Sequence, residues 1–139
     1  MAVEIRPEPS LPVEEFRAVL VESTLGERRP IDRPAALAKM LAHADLIVTA
    51  RDAGRLVGVA RSLTDYAYCC YLSDLAVARS HQRLGLGRRL IEATLAALEP
   101  GAKLILLAAP AAVDYYPRLG FSRHPSAWIL RPGEPLADD

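Results

Sequence analysis

Apolar residues fall along the 139-residue chain in short bursts whose spacing changes from place to place. "VEIRP" near the start alternates and predicts a short strand; "LPVEEFRAVLVEST" then carries Val13, Phe16 and Leu20 at helical spacing behind Pro12, a good opening residue. "GERRPIDRP" breaks the pattern with a polar, proline-interrupted connection containing three arginines. Asp32 is placed there to cap a second helix whose apolar side is Leu37, Met40 and Leu41. "ADLIVTA" and "RLVGVARSL" are short and β-branched, and the turn signal "RDAG" between them predicts an antiparallel hairpin. "YAYCCYLSDLAVA" continues as a third long strand.

The spacing turns helical again in "HQRLGLGRRLIEATLAAL", where Leu90, Ile91, Leu95 and Leu98 share one side before Pro100 and Gly101 stop the helix. "KLILLAA" is a continuous apolar run, as expected of a strand covered on both faces. "PAAVDYYPRLGF" predicts a short helix ending at Gly120, "SAWILRP" a last strand, and "GEPLADD" a frayed tail. The order β, α, α, three antiparallel strands, α, β, α, β predicts a mixed α/β fold, with the helix from Gly85 crossing between two neighbouring parallel strands. No repeat, low-complexity segment or linker divides the chain, so residues 1–139 are expected to form a single domain.

Composition narrows the partners. Hydrophobic residues make up 51% and charged residues 24%, a balance that supports a folded core. Lysine plus arginine and aspartate plus glutamate each number 17, so no broad positive field exists to hold a nucleic acid or an anionic membrane, and neither partner is expected. The longest apolar run, 104–113, is about half the length of a membrane helix and contains Pro110. The opening "MAVEIRPEP" lacks the charged and apolar regions of a signal peptide, so a cytoplasmic location is expected. Cys69 and Cys70 are adjacent and would point to opposite faces of a strand. His43, His81 and His124 lack metal-ligand spacing; no metal is expected.

Gly85 and Gly87 stand one residue apart at the mouth of the third helix, where glycine costs about 1 kcal/mol relative to alanine in a helix interior. The first turn of a helix offers unpartnered N–H groups and about half a positive charge. Glycine keeps side chains off those amides, and Arg83 and Arg88 flank them, a pattern that suggests a pyrophosphate cradle. The chain has no P-loop string, and the dinucleotide fingerprint would need a small residue where Leu90 stands.

The stretch resembles the acyl-CoA-binding motif Q/R-x-x-G-x-G/A of the GCN5-related N-acetyltransferase (GNAT) family, matched by Gln82, Gly85 and Gly87. "YLSDLAVARSHQ" looks like that family's fourth strand, and "YYPRLGF" like its aromatic-Tyr-x-x-x-Gly-Phe motif, with Tyr116 at the tyrosine position. The resemblance implies a mostly antiparallel sheet splayed after the fourth strand, with helices on both faces and acetyl-CoA in the gap. It implies that the pantetheine arm bonds to the backbone of Leu75, Ala76 and Val77. The pyrophosphate would rest on amides from Arg83, Leu84, Gly85, Leu86, Gly87 and Arg88, with Gln82, the first motif position, also among the cofactor-binding residues. Arg79 stands where a proline is common in the family, and Ala109 where an asparagine is frequent. A homodimer is a frequent state in the family.

Acyl transfer to an amine needs a neutral nucleophile. Neutralising a lysine-like amine at pH 7 costs about 4.6 kcal/mol, against about 1 kcal/mol for an α-amine of a peptide. The family motif makes Tyr116 the candidate acid for the departing thiolate, against a reading in which Tyr115 and Tyr116 both simply pack. Asp74, in the otherwise apolar "LSDLAV", is the candidate base, against an aspartate bonding a neighbouring loop. The N–H of Val77 is a candidate oxyanion donor. Arg28, Arg29, Arg33, Asp65, Tyr66 and Tyr68 are candidate acceptor contacts, although a solvated loop explains the arginines equally well.

The resulting expectation is an acetyl-CoA-dependent N-acetyltransferase acting by direct attack of a small-molecule or peptide amine. A protein lysine, an N-terminus, an amino acid, a polyamine and an antibiotic all fit. The rival reading is a non-catalytic acyl-CoA-binding sensor, and a third is a nucleotide-binding domain.

Overall fold

Strand alternation fails in the middle of the chain because two sets of helices cover the sheet from opposite sides. The structure, a computed structural model, describes residues 2–138. Its sheet runs β1 (Val3–Pro7), β2 (Leu46–Asp52), β3 (Arg55–Thr64), β4 (Cys69–Val77), β5 (Lys103–Ile105), in that spatial order. The first three pairings are antiparallel and the last is parallel, as expected for a mixed α/β fold. Ala53 and Gly54 close the β2–β3 hairpin, both at positive φ, which matches the right-handed twist of the strands they join.

The helices are α1 (Val13–Glu22), α2 (Pro34–Ala42), α3 (Leu86–Ala96) and the single turn α4 (Tyr115–Arg118). Seven of the ten residues of β3, Leu56 to Ser62, are buried. Gly58 faces α3 so closely that an added methyl would lie 3.1 Å from a Leu90 methyl. Alternation turns Arg61 to the other face, where it reaches the carbonyl of Met40 in α2 at 3.3 Å. Phe16, Val19, Leu20 and Leu37 fill the core that α1 and α2 share. Burying such side chains contributes about 1.5–3 kcal/mol each.

Several elements depart from expectation. Pro34 opens α2, and its cap position is Arg33, without a side-chain bond; Asp32 does not cap it. The fixed φ of proline and its missing N–H make that capping bond dispensable. α3 stops at Ala96, and Thr94 completes its buried stripe while Leu95 is exposed. The Thr94 hydroxyl returns to the Leu90 carbonyl at 2.8 Å, which allows it to be buried. "KLILLAA" pairs only over Lys103–Ile105 and leaves Ile105 and Leu107 about half exposed, so it is a rim strand and not one covered on both faces. "SAWILRP" forms no strand, and Trp128 is 94% exposed. A three-residue β5 offers too short an edge to hold another strand, and β-branched composition alone does not make one.

β5 positions the site. It meets β4 only at Cys69, Cys70 and Tyr71, and beyond Tyr71 the two strands separate. The remainder of β4, from Leu72 to Val77, stays paired with β3 on one side and has no strand on the other.

Candidate active site

The opening beside β4 is a cleft of about 860 Å³ that runs from the first turn of α3 to Tyr116. Leu75, Ala76 and Val77 form one wall; residues 109–112 and α4 form the other. The N–H of Ala78 donates to the Val57 carbonyl at 2.8 Å, so alternation turns the peptide groups of Val77 and Leu75 towards the cleft and those of Ala76 towards β3. The Gln82 side-chain amide donates to the Val77 carbonyl at 2.9 Å. Gln82 thus braces the strand end against the loop, and the Val77 N–H remains directed at the gap.

At the other end, Gly85 caps α3 with φ +77° and Arg83 precedes it with φ +64°. Left-handed residues at these positions turn successive amides the same way, forming a concavity for anions. The first helical bond runs from the Arg89 N–H to the Gly85 carbonyl at 3.1 Å, which leaves the N–H groups of Leu86, Gly87 and Arg88 without helical partners. A methyl on Gly85 would meet nothing within 4 Å, whereas one on Gly87 would collide with the Tyr115 hydroxyl. Gln82, Arg83, Gly85, Leu86 and Gly87 line the cleft. Leu84 is about half exposed outside it, and the Arg88 side chain turns to Glu92 at 4.0 Å. His81 also lines it, pinned by Asp52 at 2.7 Å and Ser80 at 2.8 Å.

Tyr116 stands where this cleft meets a smaller cavity of about 180 Å³, and it lines both. Tyr115 and Phe121 hold its ring edge-on, with centroids 5.3 and 5.4 Å away. The Phe121 N–H closes the turn onto the Tyr116 carbonyl at 3.1 Å, past Gly120 at φ +97°. Burial, with a smaller effect of Tyr115, pushes the Tyr116 phenol above its ordinary range, so it keeps its proton throughout neutral pH. Tyr115, read from the sequence as packing, also lines the large cleft, and burial raises its phenol while Arg88 lowers it. The signal for it was the narrowness of Gly87, which the tyrosine covers.

Asp74 occupies a different setting from that of a base. Its side chain is 0% exposed and lines neither cavity. One oxygen receives Arg29 Nε at 2.5 Å, and the other receives Arg61 Nε. Arg29 also donates to the Ser73 carbonyl at 2.7 Å, and Arg61 to the Ser73 hydroxyl at 2.9 Å. A register shift puts Arg61 opposite Asp74 and Ser62 opposite Leu72, leaving Ser73 as the extra residue of β4. A base must present a lone pair to the acceptor. Both Asp74 oxygens instead meet guanidiniums, and through Arg29 the carboxylate ties down the 3-10 turn Leu25–Arg28, which roofs the cleft.

Of the candidate acceptor contacts, Arg28 and Arg29 line the smaller cavity with Tyr71 and Ser73, and Arg33 does not. Asp65, Tyr66 and Tyr68 instead build the β3–β4 turn. The Asp65 carboxylate accepts the N–H groups of Ala67, Tyr68 and Cys69, which hold it below the usual carboxylate range. Tyr66 donates to the Asp45 carbonyl, and Lys103 sits 3.7 Å over the Tyr68 ring. Among the described residues no three His, Cys, Asp or Glu side chains gather as a metal site needs, and no helix is long and apolar enough to cross a membrane.

A sheet opened beside its fourth strand, with a helix N-terminus at one end of the gap and a half-buried tyrosine at the other, has counterparts among known proteins. A family model described as an acetyltransferase (GNAT) domain matches residues 23–131. The rice protein serotonin N-acetyltransferase 2, chloroplastic, is 33% identical over 97 residues, which are 66% of this chain and 48% of that protein. The Arabidopsis thaliana protein GCN5-related N-acetyltransferase 2, chloroplastic, is 34% identical over 73 residues, 51% of this chain and 28% of that protein. The chain thus spans half or less of the curated relatives it matches. In fold it is similar to a GNAT family acetyltransferase from Streptococcus pneumoniae, with a TM-score of 0.69, 22% identity, and coverage of 94% of this chain and 99% of that one. Motif, family match and fold agree: the chain belongs to the GNAT acetyltransferase family.

Proposed function

We propose that the protein is an N-acetyltransferase that takes an acetyl group from acetyl-CoA and passes it by direct attack to a primary amine. The observation that carries this is the continuity of the cleft from the open amides of α3 to the Tyr116 hydroxyl. The residues suit the co-substrate. Leu86, Gly87 and Arg88 offer N–H groups to a pyrophosphate, Arg83 adds charge at its edge, and the space above Gly85 is open. Leu75 and Val77 offer peptide groups to the amide-bearing pantetheine arm.

When bound, acetyl-CoA supplies an activated thioester. The protein's part is positioning and proton control. Tyr116, kept protonated by burial, is the donor to the departing thiolate, and the Val77 N–H is the donor to the developing oxyanion. Asp74 holds the Leu25–Arg28 turn in place and takes no part in proton transfer. No aspartate or glutamate lines the smaller cavity, although Glu27 lines the larger cleft, so an acceptor held in the smaller cavity arrives neutral or gives up its proton to water.

Incubation with acetyl-CoA and a panel of primary amines, read by free thiol and by the mass of the amide, tests the reading. Release of thiol matched by amide is the expected result. Tight binding of acetyl-CoA with no amide from any amine would favour the sensor instead.

A further inference from the structure

The formal charge of the whole chain is zero, yet the smaller cavity is strongly one-sided. Two arginines line it, Arg28 and Arg29, and no aspartate or glutamate does. Beneath its wall Arg29 and Arg61 share the single carboxylate of Asp74. Two guanidiniums therefore share one carboxylate while Arg28 adds a third positive charge at the cavity, and the excess is not cancelled by any carboxylate that lines it.

The arginines differ in what they are free to do. Arg29 spends its donors on Asp74, the Ser73 carbonyl and the Arg28 carbonyl, and Arg61 spends its own on Asp74, Ser73 and Met40. The exposed Arg28 side chain makes no hydrogen bond or ion pair among the described residues, and Arg28 lines both cavities at their junction with Tyr116. A guanidinium offers a planar fork of donors that matches a carboxylate. Arg29 and Arg61 oppose any second cation brought near them and favour an anion.

Resting on the acetyltransferase reading, we infer that the acceptor is an amine that also carries a carboxylate, which Arg28 receives while the amine faces Tyr116. The cavity of about 180 Å³ suits a single amino-acid-sized molecule or the end of a short peptide, not a large polycation. Polyamines and aminoglycosides, which would bring additional positive charge to Arg28 and Arg29, are disfavoured.

The test compares matched pairs that differ by the carboxylate alone: tryptophan with tryptamine, phenylalanine with phenethylamine, and 5-hydroxytryptophan with serotonin. For at least one pair the carboxylate member should show a kcat/KM about tenfold or more above its decarboxylated partner, the worth of one charge-assisted contact. Arg28→Ala should bring that ratio close to one, Arg28→Glu should invert it, and Arg28→Lys should keep its direction. Transfer to the decarboxylated members with equal or greater efficiency, or an unchanged ratio in Arg28→Ala, would overturn the inference and leave the acetyltransferase reading standing. Absence of transfer to either member of every pair, with transfer to a carboxylate-free amine of the wider panel, would overturn the inference alone, and absence of transfer to every amine of both sets would overturn both.

Discussion

An added methyl on Gly87 would lie 2.6 Å from the hydroxyl oxygen of Tyr115, and its three nearest neighbours all belong to that tyrosine. The obstacle is the tip of a side chain that can swing, and alanine is preferred over glycine in a helix by about 0.5–1 kcal/mol. Gly87→Ala should therefore hold or slightly raise the thermal midpoint while weakening acetyl-CoA about tenfold, since the methyl and the displaced hydroxyl crowd the open amides. A thermal scan beside a calorimetric titration separates the two effects. Gly85→Ala should do the reverse in stability, because its φ of +77° costs a non-glycine residue about 1–2 kcal/mol even with open space around it.

Tyr116→Phe removes one hydroxyl that no described residue engages, so the fold and acetyl-CoA affinity should persist. The rate of acetyl transfer should fall by about 100-fold or more, the usual worth of a positioned general acid. The sign of the pH dependence follows from burial. The phenol's pKa is raised, so in the wild type the acid form persists through neutral pH and the rate declines only as pH rises past the ordinary tyrosine value of about 10. That alkaline limb should be missing from the phenylalanine variant's profile.

Asp74→Asn tests the anchor against the base. Removing the charge leaves Arg29 and Arg61 facing each other in the interior, and breaking a buried pair in this way costs about 3–5 kcal/mol. The thermal midpoint should fall on the order of 10 °C. A variant with wild-type stability and a large loss of rate would make Asp74 the base after all.

Sequence patterning carries the order of the elements and the glycine-opened first turn of α3 because those features are local. Gly85, Gly87 and Tyr116 sit in short motifs whose spacing is their geometry. The Arg29–Asp74 clamp was not legible, since its partners lie 45 positions apart. Burial alternates along β4 with Cys70, Leu72, Asp74 and Ala76 all inside, so periodicity marks Asp74 as buried but does not show which arginines meet it there. The predicted final strand fails for a related reason: "SAWILRP" has strand-like composition, but a strand exists only where another edge receives it, and β5 ends after three paired residues.

Glu8 provides a pH test that is independent of the active site. Its carboxylate accepts Arg51 at 2.8 and 2.6 Å and Thr49 at 2.8 Å, and Arg51 also donates to Glu15 of α1, so the group ties the end of β1 to β2 and α1. The Arg51 bond, opposed in part by burial, holds Glu8 below the usual carboxylate range. A depressed folded pKa means stability that is present above the unfolded value of about 4.3 and lost as pH falls below it. Midpoints recorded from pH 7 to pH 3 should therefore drop less steeply in Glu8→Gln than in the wild type.

If the gap beside β4 holds acetyl-CoA, as proposed, the thermal midpoint of the protein with different ligands will show it. Acetyl-CoA, CoA, ATP and NAD would each be added in large excess to the purified chain. A ligand at about one hundred times its dissociation constant adds about 2.7 kcal/mol, enough to raise the midpoint by several degrees. Acetyl-CoA and CoA should each give such a rise, and ATP and NAD none of comparable size. No rise with either CoA species, or a larger one with a nucleotide, would contradict the proposal.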